Sequence, residues 1–226
     1  MFIVGKPALI IDKALVIADL HIGITRELYE SGISMPSQVR KMINRIHELK
    51  KITKAKELVI AGDIKHKVYG MNWQEIHEVP EFLAALRFKK ITIVKGNHDG
   101  QIEKLIPEEL KARIKVRKSV VLGDYCVTHG HRKANTKKNI IIAHNHPYVR
   151  FRDKLGALYT EPVWIKGELP DKKEIIIIPA FNELCGATIV NRDKLLGPIA
   201  KKIRKAHAYM LDGTDLGLLE DLKLRE

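Results

Sequence analysis

Cysteine, aromatic residues and long apolar runs are scarce in this chain, and each scarcity removes a class of protein. Two cysteines in 226 residues are too few for a disulfide-dense secreted scaffold. Cys126 and Cys185 sit among apolar residues, without the short Cys spacing of a structural zinc site, which predicts buried free thiols in a reducing compartment. Aromatic residues make up 6% of the chain, so extensive base stacking is not indicated. The apolar residues 1–11 stop at Asp12, too soon for a signal peptide or a membrane span. Cytoplasmic residence, with no membrane partner, is therefore the expectation. No repeat, low-complexity tract or linker interrupts the sequence, and its length suits one domain over residues 1–226 with a substantial core.

Acidic side chains are also in deficit. Forty Lys and Arg stand against 27 Asp and Glu, a net charge of +13. Such an excess suits a polyanionic partner, nucleic acid first and a membrane surface second. The same Lys-rich composition, with Gln occurring only three times, equally suits a heat-adapted cytosolic protein.

What the chain does have is a series of apolar β-type runs. Residues 8–11 and 14–18 flank Asp12-Lys13, a hairpin turn. A helix is predicted to open at Ser34-Met35-Pro36, with Pro in its first turn, and to bury Val39, Met42, Ile43, Ile46 and Leu49. A strand follows at 58–61. Next comes a helix within 73–86 that Pro80 should break or restart, then a strand at 91–94. This alternation points to βαβ units and a largely parallel sheet. After Pro107 the rhythm changes to short strands at 114–116, 120–122, 125–127 and 140–143, then 162–166, 175–178 and 206–211. The expected fold class is α/β, with two packed sheets and helices outside.

Five of these runs end in polar motifs of one character: Asp19-Leu20-His21, Gly62-Asp63, Gly96-Asn97-His98-Asp99, His129-Gly130-His131 and His144-Asn145-His146. A single such motif reads as an ordinary turn. Five of them, at the strand edge where open α/β sheets bind ligands, point to a shared metal site. Residues two apart on a strand point the same way, so Asp19 and His21 are expected to reach one target. Mixed His and carboxylate ligands without Cys suit Mn, Fe, Zn, Co or Ni in a reactive centre.

Taken in order, the motifs resemble those of the calcineurin-like metallophosphoesterases: Asp-x-His, Gly-Asp, Gly-Asn-His-Asp, a later His, and His-x-His. The resemblance runs from Asp19 to His146, and the overall look is similar to archaeal members and to bacterial relatives associated with DNA ligases and helicases. One departure is Ala143, where the family usually has Gly before the final His-x-His. The resemblance implies a four-layer αββα sandwich carrying two divalent ions, with Mn²⁺ favoured. It assigns Asp19, His21 and His146 to one ion, Asn97, His129 and His144 to the other, and Asp63 to both. Paired ions of this kind usually sit about 3.5–4 Å apart, activate a bound water as hydroxide and clamp the oxygens of an in-line displacement. With only Asp19 and Asp63 as carboxylate ligands, residual positive charge would favour a phosphate.

His98 is left over from this assignment, and the resemblance makes it the group that protonates the leaving oxygen. Asp99 either orients His98 or bonds its own turn. His66 completes a Gly-Asp-x-x-His that looks like the nuclease branch of the family, where it would help position the substrate phosphate. His131 is open between a supporting role and a plain loop position. Basic residues Arg132 and Lys133, and Arg150 and Arg152, flank the site motifs in sequence and are candidates for a phosphate backbone. The cluster Lys201, Lys202, Arg204 and Lys205 reads as the solvated face of a helix. The leading functional reading is a metal-dependent phosphodiesterase or nuclease acting on nucleic acid. A phosphomonoesterase is disfavoured because the phosphatase-type Arg after Gly-Asp is missing. A small-molecule, cyclic nucleotide-type phosphodiesterase and a non-catalytic scaffold on a degenerate fold are the remaining alternatives.

Overall fold

Asp12 and Lys13 both adopt left-handed backbone, at φ 46° and 68°, and fold β1 (Leu9–Ile11) back onto β2 (Ala14–Ile17). The computed structural model describes residues 1–222. From β2 the chain passes through α1 (Ile24–Glu30) and α2 (Val39–Thr53) to β3 (Glu57–Ile60). It continues through α3 (Trp73–Ala85) to β4 (Lys90–Val94) and then β5 (Ile114–Arg117). These strands form the first sheet in the order β1-β2-β3-β4-β5, with β2 to β5 mutually parallel. Among the described residues no helix is long and apolar enough to cross a membrane.

The period-two alternation of this sheet decides its two faces. Leu15 and Ile17, Leu58 and Ile60, Ile91 and Ile93 pack against Met42, Ile46 and Leu49 of α2 and Val79, Phe82 and Leu83 of α3. The opposite residues, among them Val16, Val59 and Val94, face the second sheet. Three alanines, Ala18, Ala61 and Ala143, complete this inter-sheet layer just before the polar motifs, and all three are fully buried.

The second sheet is built from β6 (Val120–Leu122), β7 (Tyr125–Val127), β8 (Asn139–Ile142), β9 (Pro147–Arg152), β10 (Leu158–Glu168), β11 (Glu174–Ile177), β12 (Thr188–Ile189), β13 (Arg204–Met210) and β14 (Asp215–Leu218). Its main order is β12-β9-β10-β11-β8-β7-β6, with β13 on β10 and β14 on β13. Ile141 and Ile176 point to the first sheet, and Ile140, Ile142, Ile175 and Ile177 point outward under Val190, Ile199 and Ala200. The expected class, two mixed sheets with helices, is the one found. Over the outer face of the second sheet the cover is irregular chain and one 3₁₀ turn, Ala200–Lys202. Lys201 and Lys202 therefore sit in that turn and Arg204 and Lys205 open β13, in place of the predicted helix face.

Two other local expectations are corrected. The helix α2 opens at Val39, not at Pro36. Proline keeps the residue before it extended, and the first buried side chain that a helix here can use is Val39. Pro80 neither breaks nor restarts α3, which runs unbroken through it. One main-chain bond is lost at that point. It is offset by the capping box of Asn72 and Glu75 and by burial of the adjacent Val79, Phe82 and Leu83.

Candidate metal centre

Strands β2, β3, β4, β7 and β8 all end at one edge of the sandwich, and the five polar motifs follow them. Their convergence is not produced by strand periodicity. Asp19 and His21 lie beyond β2 and both have left-handed backbone, at φ 54° and 43°; His144 and His146 repeat this after β8, at 70° and 41°, and Asp63 has φ 50°. A non-glycine residue in this region costs on the order of 1–3 kcal/mol. The ladder nevertheless continues through it: Leu20 and His21 N–H donate to the Asp63 carbonyl, and Ile22 N–H to that of Ile64. The turn, not the pleat, points Asp19 and His21 at a common target.

Asp63 is the hub. Its Oδ2 lies 3.2 Å from His129 Nε2, 3.8 Å from His21 Nε2 and 3.9 Å from His98 Nε2. Its Oδ1 accepts the His98 backbone N–H at 2.9 Å. Asp19 Oδ1 stands 3.5 Å from His146 Nε2 and 3.7 Å from His129 Nδ1, and Asn97 Oδ1 meets His129 Nε2 at 3.1 Å. Asp19, His21 and Asp63 form one group whose donor atoms lie within 4.8 Å of one another, and Asp63, His129 and His144 form a second. Asp63 belongs to both.

The donor set fits cations. Asp19 Oδ1 is buried and has no hydrogen-bond partner, a costly state for a carboxylate oxygen unless a cation faces it. His21 and His146 turn Nε2 atoms towards each other at 3.4 Å, so their lone pairs converge on one point. Ring orientation is set from behind: His129 Nδ1 donates to the Ala61 carbonyl at 2.9 Å, His146 Nδ1 to Gly186 at 2.8 Å, and His98 Nδ1 to His66. Such back-bonding fixes the tautomer and leaves Nε2 for the centre. Burial lowers the His21 pKa to about 3 and that of His144 to about 4, which keeps both imidazoles neutral as ligands require. For His129, burial is outweighed by the hydrogen bond and charge of Asp63, which raise its pKa to about 9. Asp63 is correspondingly held well below the usual carboxylate range, against its burial, by His129.

Among the described residues no hydrogen bond joins the Asp99 carboxylate to the His98 ring. Asp99 Oδ2 accepts the N–H groups of Asp63 and Gly96, each at 2.8 Å, and its Oδ1 accepts Ile64 N–H at 2.9 Å. It thus bonds its own turn and, across the sheet, the turn that carries Asp63. Burial and the neighbouring Asp63 push its pKa up to about 6, against the pull of those N–H groups. His66 lies between His21 Nδ1 at 3.2 Å and Glu27 Oε2 at 2.9 Å. His131 lines a basic cavity next to Asn97, together with Arg132 and Lys133. Arg150 and Arg152 run along β9 away from His146 and line neither that cavity nor the His cleft.

Several supporting residues escaped the sequence reading. Glu75 is fully buried and accepts the N–H groups of His66, Lys67 and Asn72; its signal was the Asn72-x-x-Glu75 capping box. Asn182 Nδ2 donates to the Leu20 carbonyl at 2.7 Å, behind the Asp19 turn. It too follows a buried apolar run, 175–178, and was a sixth polar strand end. Lys65 is fully buried and donates to the Lys67 and Gly70 carbonyls.

Two facing sheets with His, Asp and Asn gathered at their common edge define a metal-dependent hydrolase of phosphoesters. The chain belongs to the calcineurin-like phosphoesterase family, whose sequence profile matches residues 13–203, and that family uses divalent metal ions. The fold is similar to the crystal structure of nuclease MPE from Pseudomonas putida, at TM-score 0.61 and 20% identity over 90% of this chain and 88% of that one. A phosphoesterase from E. coli, Yfce, aligns at TM-score 0.44 and 15% identity over 90% of this chain and 96% of that one. No curated protein matches the chain in sequence.

The three bonds to Asp99 make a prediction about the frame of the site. In Asp99→Asn one oxygen becomes an NH₂ that faces backbone donors. Hydrogen bonds to charged groups are worth about 1.5–3 kcal/mol each, so stability should fall by roughly 3 kcal/mol in urea unfolding. An unchanged unfolding midpoint would show that the carboxylate does not hold the Asp63 turn.

Proposed function

We propose that the chain is a phosphodiesterase acting on nucleic acid through two divalent ions, with Mn²⁺ the first to try. Asp19, His21 and His146 would hold one ion, Asn97, His129 and His144 the other, and Asp63 would bridge them. The observation that carries this reading is that Asp63 belongs to two groups of converging donors, one with Asp19 and His21 and one with His129 and His144. When bound, such a pair supplies a water of lowered pKa and positive charge against the phosphoryl oxygens.

The chain's own residues supply the rest. His98 gives its Nδ1 hydrogen to the His66 carbonyl, so its Nε2 faces the cleft. As imidazolium it carries at Nε2 a proton for the leaving oxygen. His66 acts here mainly by placing His98, since its own ring is engaged by His21 and Glu27. Asp99 acts further back, by holding the turns that carry Asp63 and His98.

Two features favour a diester in a strand. The position of the phosphatase-type Arg is taken by Lys67, and an ammonium lacks the planar fork that grips a terminal phosphate at two oxygens. Arg132 and Lys133 line a cavity that Asn97 also lines. The Pseudomonas putida neighbour is a nuclease by name. Its likeness to this chain speaks for the fold, and the substrate reading rests on the site.

Asp63→Asn should lose most bound metal and most activity, because a neutral amide cannot serve two cations; elemental analysis with turnover decides it. His98→Ala should keep its metal and lose turnover by roughly 10²–10⁴-fold, the scale of general acid–base help. An emptied metal site in His98→Ala would make His98 a ligand instead. For substrate class, the purified protein with each divalent metal is offered bis(p-nitrophenyl) phosphate, p-nitrophenyl phosphate, and labelled DNA and RNA. Diesters and nucleic acid should be cleaved in preference to the monoester. Binding to duplex DNA, measured with Ca²⁺, should weaken with salt at about 0.9 per neutralised phosphate on a log–log plot. Good activity on the small diester with no nucleic-acid binding would leave a small-molecule phosphodiesterase.

A further inference from the structure

Beside the metal centre, on the far side of Asn97, lies a second cavity of ≈ 430 Å³. Four cationic side chains line it: Lys95, Lys118, Arg132 and Lys133. They come from three separate chain segments, the start of the Gly96-Asn97-His98 turn, the β5–β6 connection and the loop after β7. Among the described residues, Lys118, Arg132 and Lys133 make no ion pair, whereas Lys95 is bonded to Glu103 at 2.9 and 3.1 Å. Thr128 and His131 also line the cavity, and His131 Nδ1 is buried with no hydrogen-bond partner. The His131 ring stands 5.2 Å from that of His129.

Cations brought round one concave, partly enclosed surface repel one another and focus a positive field into it. Glu103 offsets Lys95, and a bound anion would relieve the charge of the other three. Phosphate fits the donor chemistry: flexible ammonium groups, a guanidinium, a hydroxyl and an imidazole nitrogen. Asn97 lines this cavity and also contacts His129, so an occupant of the cavity is a neighbour of whatever the centre holds.

We infer that this cavity is a second phosphate subsite, which takes the phosphate next to the scissile one along a nucleic-acid strand. The inference rests on the phosphodiesterase reading for its substrate, but the cavity's affinity for phosphate is testable without it. Lys118 acts here as a positioning residue together with Arg132 and Lys133, and His131 lines the wall between the subsite and the centre.

The binding arm uses metal-free protein and inorganic pyrophosphate, followed by calorimetry. The chain should bind it, and Lys118→Gln with Lys133→Gln should weaken binding about tenfold, the scale of one charge-assisted hydrogen bond. Lys51→Gln with Lys89→Gln removes the same charge from the opposite end of the strands and should bind like the parent. Absent binding, or equal losses in the two double variants, overturns the subsite. The catalytic arm compares the dinucleotides pdTdT and dTdT with Mn²⁺. The parent should favour pdTdT in kcat/KM, and the Lys118/Lys133 variant should lose the preference. A ratio near one in the parent, or a ratio that survives in the variant, overturns the assignment of this phosphate. A dinucleoside tetraphosphate run alongside should be the poorer substrate, and the reverse order would overturn the strand as the source of the second phosphate. Failure to cleave either dinucleotide with any metal would refute the phosphodiesterase reading, and the pyrophosphate result would still decide the cavity.

Discussion

The structure of the site depends on the placement of one carboxylate, that of Asp63. Its backbone N–H is held by Asp99, its carbonyl accepts two N–H groups from the Asp19 turn, and its side chain bonds the His98 backbone. Three strand ends of the first sheet are thus tied through a single residue before any ligand is considered. From the second sheet, His129 reaches the same carboxylate. The glycines on either side are explained by this crowding. A Cβ at Gly96 would fall within the Asp63 carboxylate, and one at Gly62, where φ is +98°, would enter the His129 ring.

Much of this was legible in the sequence, for a physical reason. Buried parallel strands read as unbroken apolar runs, so the places where they stop in Asp, Asn and His are conspicuous. The strands at 58–61, 91–94 and 140–143 were visible in this way, and so was the gathering of Asp19, Asp63, His129 and His146. What was not legible depends on contacts distant in sequence. Nothing local says that Asp99 bonds the turn of Asp63 and not the ring of His98. Nothing local says that Pro80 is tolerated, because the packing of Phe82 and Leu83 decides it. Arg150 and Arg152 follow the last motif closely in sequence, yet β9 carries them away from it at about 3.3 Å per residue. Lys95 and Lys118 became neighbours of Arg132 only through the pairing of β4 with β5 and the closure of the sandwich.

Buried acids divide the labour of the site between them. Asp19 and Asp63 face its interior, and Asp19 Oδ1 is left without a partner. Asp99 and Glu75 face backbone N–H groups and are satisfied by them. The first pair is suited to meeting cations and the second to holding loop shape. Removing a member of either pair would damage the site by a different route, through lost charge in one case and lost loop geometry in the other.

The alanine layer beneath the motifs has a consequence for the chemistry above it. Asp19, His21, Asp63 and Asn97 hang from one sheet, and His129, His144 and His146 from the other. The gap between the sheets at that edge therefore sets how far apart the two ligand sets stand, and Ala18, Ala61 and Ala143 fill that gap. The sandwich works as a caliper, with these methyl groups as the shim. A bulkier side chain at any of the three would open the jaws and retune the spacing of whatever the centre grips. The Ala143 methyl, fully buried directly before His144, is one of the three parts that set that caliper.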